Sequence, residues 1–327
     1  MIKFFVTGST GFIGSHLVKY LINQGHHVKC LVRKHSNNKW LKELAVEYVY
    51  GDMFDVEVLR KAVADVDYIY HIAGVTASKT KRGYFLGNQE ATRNLLIAAE
   101  TNSNLKRFVF AGSLAAVGPS TDGKPVNEES ELQPITTYGR SKMAAEKEVL
   151  SFQNKIPFTI VRIPAVYGPR DTATLDFFKS VNNGIIPLVG FKSKYVNILH
   201  VNDVVDGLIL AGEHPDAAGK IYFIGSEKAY TWEDIGRVTQ KIIQRKTIKL
   251  RIPEFIVVLV ASIYNLINLF SRKPSVLNFE KSKDIIADAW ICDSSKAKKE
   301  LGFQQKITLE EGVKETFKWY KEVGWIK

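Results

Sequence analysis

VTGSTGFIGSH, residues 6–16, decides how the rest of the chain is read. It follows KFFVTG (3–8), an apolar run with the length of a buried strand. It opens GSHLVKYLINQG (14–25), which reads as a helix closed by Gly25. Gly8, Gly11 and Gly14 give Gly-x-x-Gly-x-x-Gly, not the commoner Gly-x-Gly-x-x-Gly. The physics is shared between the two spacings. Glycines at such a strand–turn–helix junction allow a tight turn, close approach of backbone to a pyrophosphate, and close packing of helix on strand. The helix N-terminus adds free N–H groups for the anion. The stretch therefore reads as a dinucleotide-binding loop.

Outward from the loop, strands and helices alternate. HVKCLVR (27–33) reads as a strand, and LKELAVEYVYGDMFD (41–55) as a helix and a short strand. VEVLRKAVADV (56–66) reads as a helix, DYIYHIAG (67–74) as a strand, NQEATRNLLIAAETN (88–102) as a helix and RFVFAGS (107–113) as a strand. After a further helix comes the strand FTIVRIP (158–164). Single helices between strands imply right-handed crossovers and a parallel sheet covered on both faces. The fold class expected is α/β, a Rossmann-type doubly wound parallel sheet with a smaller interleaved C-terminal lobe. Residues 1–165 would form the dinucleotide-binding domain, with segments at about 195–225 returning to it. Residues 166–327 would mainly form the substrate lobe, through ATLDFFKSVNNG, the strand-like KIYFIGS and the helix LEEGVKETFKWYKEVG.

Bulk properties exclude some classes. The 327 residues are 45% hydrophobic and 24% charged, with ample material for a core. Two cysteines, Cys30 and Cys292, suggest neither a disulfide framework nor a thiolate metal site, and point to a reducing, cytoplasmic setting. A strand beginning at residue 2 leaves no room for a signal peptide. The seven histidines show no metal-ligand spacing, so no metal is expected. The formal charge of +11 permits attraction to many anions without choosing one. KTKR (79–82) reads as a solvated loop, and without interleaved aromatics it does not mark a nucleic-acid surface.

A second stretch, TTYGRSKMAAEK (136–147), carries chemistry. Tyr138 and Lys142 are at i and i+4, one turn apart on one helix face. A phenol titrates near ~10 in water, and a neighbouring ammonium lowers that value. The pair could therefore supply a proton donor and acceptor near neutral pH.

The chain resembles the extended short-chain dehydrogenases/reductases. The resemblance rests on TGSTGFIG (7–14), YGDMFD (50–55), HIAG (71–74), GNQEATRNLL (87–96), FAGS (110–113), YGRSK (138–142), IPAVYGPRD (163–171) and HVNDVV (200–205), in this order. It implies a catalytic set of Ser113, Tyr138 and Lys142. Tyr138 would give or take the proton, Ser113 would hold the substrate oxygen, and Lys142 would lower the Tyr138 pKa and bind the nicotinamide ribose. It further implies cofactor contacts from Gly8, Thr10, Gly11, Phe12, Ile13 and Gly14. Asp52 and Met53 would lie at the adenine, Ala73 and Gly74 beneath the pyrophosphate and ribose, and Pro164 to Val166 at the carboxamide. Asn88 belongs to the same set.

The end of the second strand reads the ribose 2′-position. NAD enzymes place Asp or Glu there. Here Val32 holds that place, followed by Arg33 and Lys34, which suit a phosphate monoester. NADP(H) is the preferred cofactor, with NAD(H) the alternative. Leu114 and Ala115 follow Ser113, where sugar-nucleotide dehydratases carry Asp-Glu. The favoured reading is a reductase near the dihydroflavonol reductase and 3β-hydroxysteroid dehydrogenase branch. A nucleotide-sugar 4-epimerase with bound NAD, using Lys192 and Lys194 for phosphates, is the alternative. A non-catalytic dinucleotide-binding protein is the second.

EFIVVLVASIYNLINLF (254–270) bears on the substrate. It is too short for the ~20 residues that span a bilayer. With KIIQRKTIKLR before it and SRK after it, it reads either as a helix in a membrane interface or as a lid over an apolar pocket. Both favour a small apolar substrate, steroid-, flavonoid- or lipid-like. The resemblance also implies a homodimer through helices at about 138–153 and 88–101. Leu95, Leu96, Ala98 and Ala99 would serve both sheet and partner.

Overall fold

β1 (Lys3–Thr7) is buried from Phe4 onward. Successive strand side chains point to opposite faces, so Phe4 and Val6 enter one core and Phe5 another. Such a strand must lie inside a sheet covered on both sides. The computed structural model describes residues 1–268 and 279–327. After β1 come α1 (Phe12–Asn23), β2 (His27–Val32), β3 (Glu47–Tyr50), α2 (Val56–Val63) and β4 (Tyr68–His71). Next are α3 (Lys81–Phe85), a π turn at Leu86–Glu90, α4 (Ala91–Ala99), β5 (Arg107–Ser113), α5 (Leu114–Val117), α6 (Thr137–Ser151) and β6 (Phe158–Ile163). The chain continues through β7 (Ala165–Tyr167), α7 (Leu175–Asn182), β8 (Ile185–Val189), β9 (Tyr195–Val196), β10 (Ile198–His200), α8 (Val201–Glu213) and β11 (Lys220–Phe223). It ends with β12 (Tyr230–Thr231), α9 (Trp232–Ile243), β13 (Ile248–Ile252), α10 (Glu254–Asn268), α11 (Phe279–Ile286), β14 (Ala289–Trp290), α12 (Ser295–Leu301) and α13 (Leu309–Glu322).

Seven strands form one sheet in the order β11-β6-β5-β4-β1-β2-β3, every neighbouring pair parallel. The chain builds outward from β1 to β3, then returns to place β4 on the other side of β1. That reversal opens a crevice at the carboxyl ends of β1 and β4, where doubly wound folds bind ligands. α1, α8 and α12 cover one face, through Leu17, Leu208 and Leu301. α2, α4 and α6 cover the other, through Leu59, Leu95 and Val149.

The later segments form smaller sheets, β7 with β10, β8 with β13, and β12-β9-β14. An aromatic cluster of Tyr167, Phe178, Phe317 and Tyr320 joins α7 and α13 to them. α9 and α13 each begin with a capping box, Thr231 with Asp234 and Thr308 with Glu311. α10 lies against α11. Among the described residues, no helix is long and apolar enough to cross a membrane. Residues 269 and 270 of the apolar stretch lie outside the described residues.

Two local expectations are corrected. Residues 41–45 form turns, with Leu41 N–H bonded to the Asn38 carbonyl and Leu44 N–H to that of Leu41. β3 follows at once, starting at Glu47. KTKR is not a plain loop, because Thr80 Oγ1 accepts the Gly83 N–H at 3.0 Å and starts α3 at Lys81. Leu95, Leu96, Ala98 and Ala99 are all fully buried within the chain. They pack into the core on that face of the sheet, together with residues of α2 and α6.

Candidate active site

The glycine loop is shaped by close approach. Gly8 has φ +70°, and a Cβ there would lie 2.6 Å from the Ala73 nitrogen. A Cβ on Gly14 would collide with the Gly8 carbonyl oxygen. Gly11 caps α1 without a side-chain hydrogen bond, and no acidic residue stands in the first turn. The N–H groups of that turn and the helix dipole thus face an open anion seat. Thr10, Phe12 and Ile13 surround it, all partly exposed. Arg170, to which the sequence reading gave no role, reaches the same turn. It has φ +74° and donates from Nη1 to Ser15 Oγ at 3.0 Å. Pro169 beside it accepts from His16 Nε2 at 2.8 Å. These bonds span more than 150 residues of sequence, so no local pattern could reveal them.

Sheet register brings the other cofactor positions to the same edge. Val6 pairs with Cys30, which sets Val32 level with Gly8. Arg33 and Lys34 follow, exposed and without an ion-pair partner among the described residues. The Gly51 N–H donates to the Val32 carbonyl and places Asp52 and Met53 beside them. Thr7 pairs with His71, so Ala73 and Gly74 emerge next to the glycine loop. Pro164 and Val166 flank the end of β6, where Ile163 pairs with Ser113. A Cβ-free cradle, an uncapped helix start and two free cations at the ribose end fit a nicotinamide dinucleotide.

Asn88 plays a different part from the one expected. It is buried on the π turn. Its Oδ1 accepts the Val75 N–H at 2.6 Å, and its Nδ2 donates to the Val75 carbonyl at 3.0 Å and to Ser141 Oγ at 2.8 Å. It therefore braces the Ala73–Val75 loop against α6 and does not line open space. His71 extends the brace. Thr92 Oγ1 donates to the Asn88 carbonyl at 2.5 Å, so it must accept from His71 Nε2 at 2.9 Å. His71 Nδ1 then accepts from Thr7 Oγ1 at 2.7 Å, while Thr7 accepts the Ala73 N–H at 3.3 Å. The chain of bonds requires a neutral ring, and burial lowers the His71 pKa to about 3.

Ser113, Tyr138 and Lys142 converge. Thr136 Oγ1 caps α6 by accepting the Gly139 N–H at 3.1 Å, which fixes Tyr138 in the first turn. Ser113 ends β5 and lies close enough to the Tyr138 side chain to lower its pKa. Its Oγ also accepts the Ala115 N–H at 3.1 Å, so it caps α5 as well. One turn beyond Tyr138, Lys142 donates to the Ala111 carbonyl at 2.6 Å, with Nζ 4.1 Å from the Phe110 ring centroid. Burial lowers Lys142 to about 8, opposed by Glu146. Glu146 stands a further turn along and is held in the interior by Arg162, with Nε at 3.1 Å and Nη2 at 3.0 Å from Oε2.

The electrostatics differ from the sequence expectation in one respect. Burial raises the Tyr138 phenol above its ordinary value, with Ser113 opposing, and Asp284 of α11 adds to the rise. The Lys142 ammonium donates to the Ala111 carbonyl. α11 reaches the site from far along the chain. Glu280 accepts the Thr137 N–H at 2.6 Å and pairs with Arg140 at 3.4 Å.

Comparison with known proteins agrees with this geometry. Residues 4–225 match the NAD dependent epimerase/dehydratase family. The chain belongs to that family. It is an NAD(P)-dependent enzyme of the extended short-chain dehydrogenase/reductase type. It is 28% identical to the ceramide reductase of Caulobacter vibrioides, over 98% of this chain and 95% of that protein. It is 25% identical to the UDP-glucose 4-epimerase of Vibrio cholerae, over 95% and 93%. Among solved structures it is similar to gox2253, with TM-score 0.83, 28% identity and full coverage of both chains.

Proposed function

We propose that the chain is an NADP(H)-dependent oxidoreductase that interconverts a carbonyl and a secondary alcohol on an apolar, lipid-like substrate. The observation that carries the reading is the convergence of Ser113 at the end of β5 and Tyr138 in the first turn of α6, with Lys142 one turn behind Tyr138 and bonded to the Ala111 carbonyl. A nicotinamide dinucleotide, when bound, supplies or accepts the hydride. Ser113 holds the substrate oxygen. Tyr138 gives that oxygen its proton as the carbonyl becomes an alcohol, and the phenolate regains a proton from solvent. A phenol held up by burial keeps its proton at neutral pH and can donate it to the carbonyl oxygen; in the reverse reaction the same oxygen takes the proton back. Lys142 supplies positive charge beside the ribose seat, and that charge fades as pH rises through about 8.

Exposed Arg33 and Lys34 beside buried Val32 support the 2′-phosphate over a free hydroxyl. The similarity to a ceramide reductase supports a long-chain substrate. The epimerase reading is weakened at Lys194. That residue donates to the Ile286 carbonyl, pairs with Asp288 at 3.0 Å and Glu254 at 2.8 Å, and is buried away from any substrate phosphate.

The test is oxidation of NADPH and of NADH with short ketones, aromatic aldehydes and long-chain keto amphiphiles. UDP-hexoses without added cofactor form a separate arm. Consumption of NADPH, strongest with the long-chain carbonyls, is the expected result. No consumption with any carbonyl overturns the reading, and interconversion of UDP-hexoses replaces it with the epimerase.

A further inference from the structure

Most large apolar side chains on the described surface are concentrated in one place. Eight of the thirteen large hydrophobic residues exposed there lie on α10, on β13 or in the loop after β8, which marks a patch and not scatter. On α10, Phe255, Leu259 and Ile263 recur every four residues and are 70%, 56% and 49% exposed. Val257 and Ala261, at 9% and 0%, form the opposite, inward face. Ile248 and Leu250 of β13 are exposed, as is Phe191. The three segments meet. Arg251 Nη1 donates to the Gly190 and Phe191 carbonyls at 3.2 Å each, and a Cβ on Gly190 would lie 2.7 Å from Glu254 Oε1.

Cations border this surface. Arg237, Lys241, Arg245 and Lys246 line a shallow recess at the end of α9, immediately before β13. Lys192, Lys241 and Lys246 have no ion-pair partner among the described residues. α10 is 15 residues long, about 22 Å at the helical rise, too short for a bilayer core of ~30 Å but long enough to lie along its surface.

We propose that the outer face of α10, with β13 and the Phe191 loop, is a docking surface for an anionic lipid bilayer. The apolar residues enter the acyl boundary and the α9 recess takes lipid phosphate. A second copy of the chain is a poorer occupant, because two such basic surfaces repel. Docking places the active site next to the bilayer. α10 packs on α11, and α11 contacts the first turn of the catalytic helix through Glu280 and Thr137. This extends the proposed function, since a long-chain substrate would enter from the membrane.

The experiment is cosedimentation of the full chain with phosphatidylcholine vesicles and with vesicles that also contain phosphatidylglycerol, at low and high salt. The wild type is expected to sediment with the anionic vesicles and to be partly released by salt. Leu259→Asp with Ile263→Asp should cut the bound fraction about tenfold or more, with thermal stability and NADPH affinity unchanged. Lys192→Glu with Lys246→Glu should weaken binding and flatten its salt dependence. Wild type left in the supernatant with anionic vesicles at low salt overturns the proposal. So does vesicle retention of the Asp variant equal to wild type. A wild-type dimer that the Asp variant turns into a monomer, without vesicle binding, assigns the surface to a second copy instead. Turnover of a water-soluble ketone is read separately. Its loss in every form would count against the reductase and leave the vesicle result standing.

Discussion

The sheet and the α10–β13 corner use apolar residues in opposite ways. In β1, β5 and β6 nearly every side chain is buried, and polar groups beside them are bonded, His71 to Thr7 and Thr92 and Glu146 to Arg162. In β13 four of five residues are exposed, and α10 turns a row of apolar residues outward. Burial decides residue type in the sheet, whereas the outward apolar residues of the corner stay 37–74% exposed in the monomer. The same substitution made in both regions should break the first and spare the second. Leu95→Asp places a carboxylate in a fully enclosed site and should abolish cooperative folding. Leu259→Asp should change stability by less than about 0.5 kcal/mol. Equal losses in urea unfolding would mean that the outer face of α10 belongs to the core.

Chemistry gives the next largest effect. Tyr138→Phe keeps the ring and removes the proton, so turnover should fall about 10²–10⁴-fold. NADPH affinity should hold, because the glycine loop and the Arg33 region are untouched. Near-wild-type turnover would remove Tyr138 from the mechanism. A parallel fall in affinity would instead assign it a cofactor-binding role.

These two regions also differ in how well the sequence announced them. The glycine loop and Tyr138–Lys142 were legible because their meaning is local: a strand, a turn, a helix and an i,i+4 spacing. Two opposed cores follow from unbroken apolar strands. What escaped depends on distant partners. Asn88 looked like a ligand contact, but its bonds to Val75 and Ser141 show a brace. Arg170 and Glu280 reach the site across 155 and 143 residues. Spacing locates Lys142 one turn from Tyr138 but does not show that its ammonium bonds the Ala111 carbonyl or that burial raises the phenol. In α10 the sequence could not tell Val257 from Leu259, since both are apolar. Only the fold separates the inward residue, 9% exposed, from the outward one, 56% exposed.

A smaller effect separates the regions by pH. His16, His71 and His200 are kept neutral by burial, at about 4, 3 and 4, while none stands on α10 or β13. Their folded values lie below the ordinary 6.5, so the unfolded chain binds more protons in acid. Their contribution is complete above pH 6.5 and is lost as pH falls from 6.5 toward 4. Each histidine adds a slope of up to about 1.4 kcal/mol per pH unit within that window. Urea unfolding at pH 7 and pH 5 measures it, and a flat profile would refute the neutral His71 brace. Vesicle binding through α10 should lack this dependence down to the unfolding pH.

The smallest effect lies at the boundary between rigid sheet and open surface, where β2 ends. Arg33 and Lys34 are exposed, so their attraction to a 2′-phosphate is screened by water and salt. Replacing both by Ser should weaken NADPH binding about five- to tenfold and leave NADH binding unchanged. A preference for NADH in the wild type, or an equal loss of both cofactors in the variant, would remove these residues from 2′-phosphate recognition. Adding Val32→Asp to create an NAD-type ribose contact should fail. Val32 is 3% exposed and packs within the core that holds Phe4 and Cys30. A carboxylate there loses water without gaining a partner, so the variant should lose stability before it gains NADH affinity. A switch of cofactor at this site therefore has to be built beyond the strand, at residue 33, where the side chain already points to solvent.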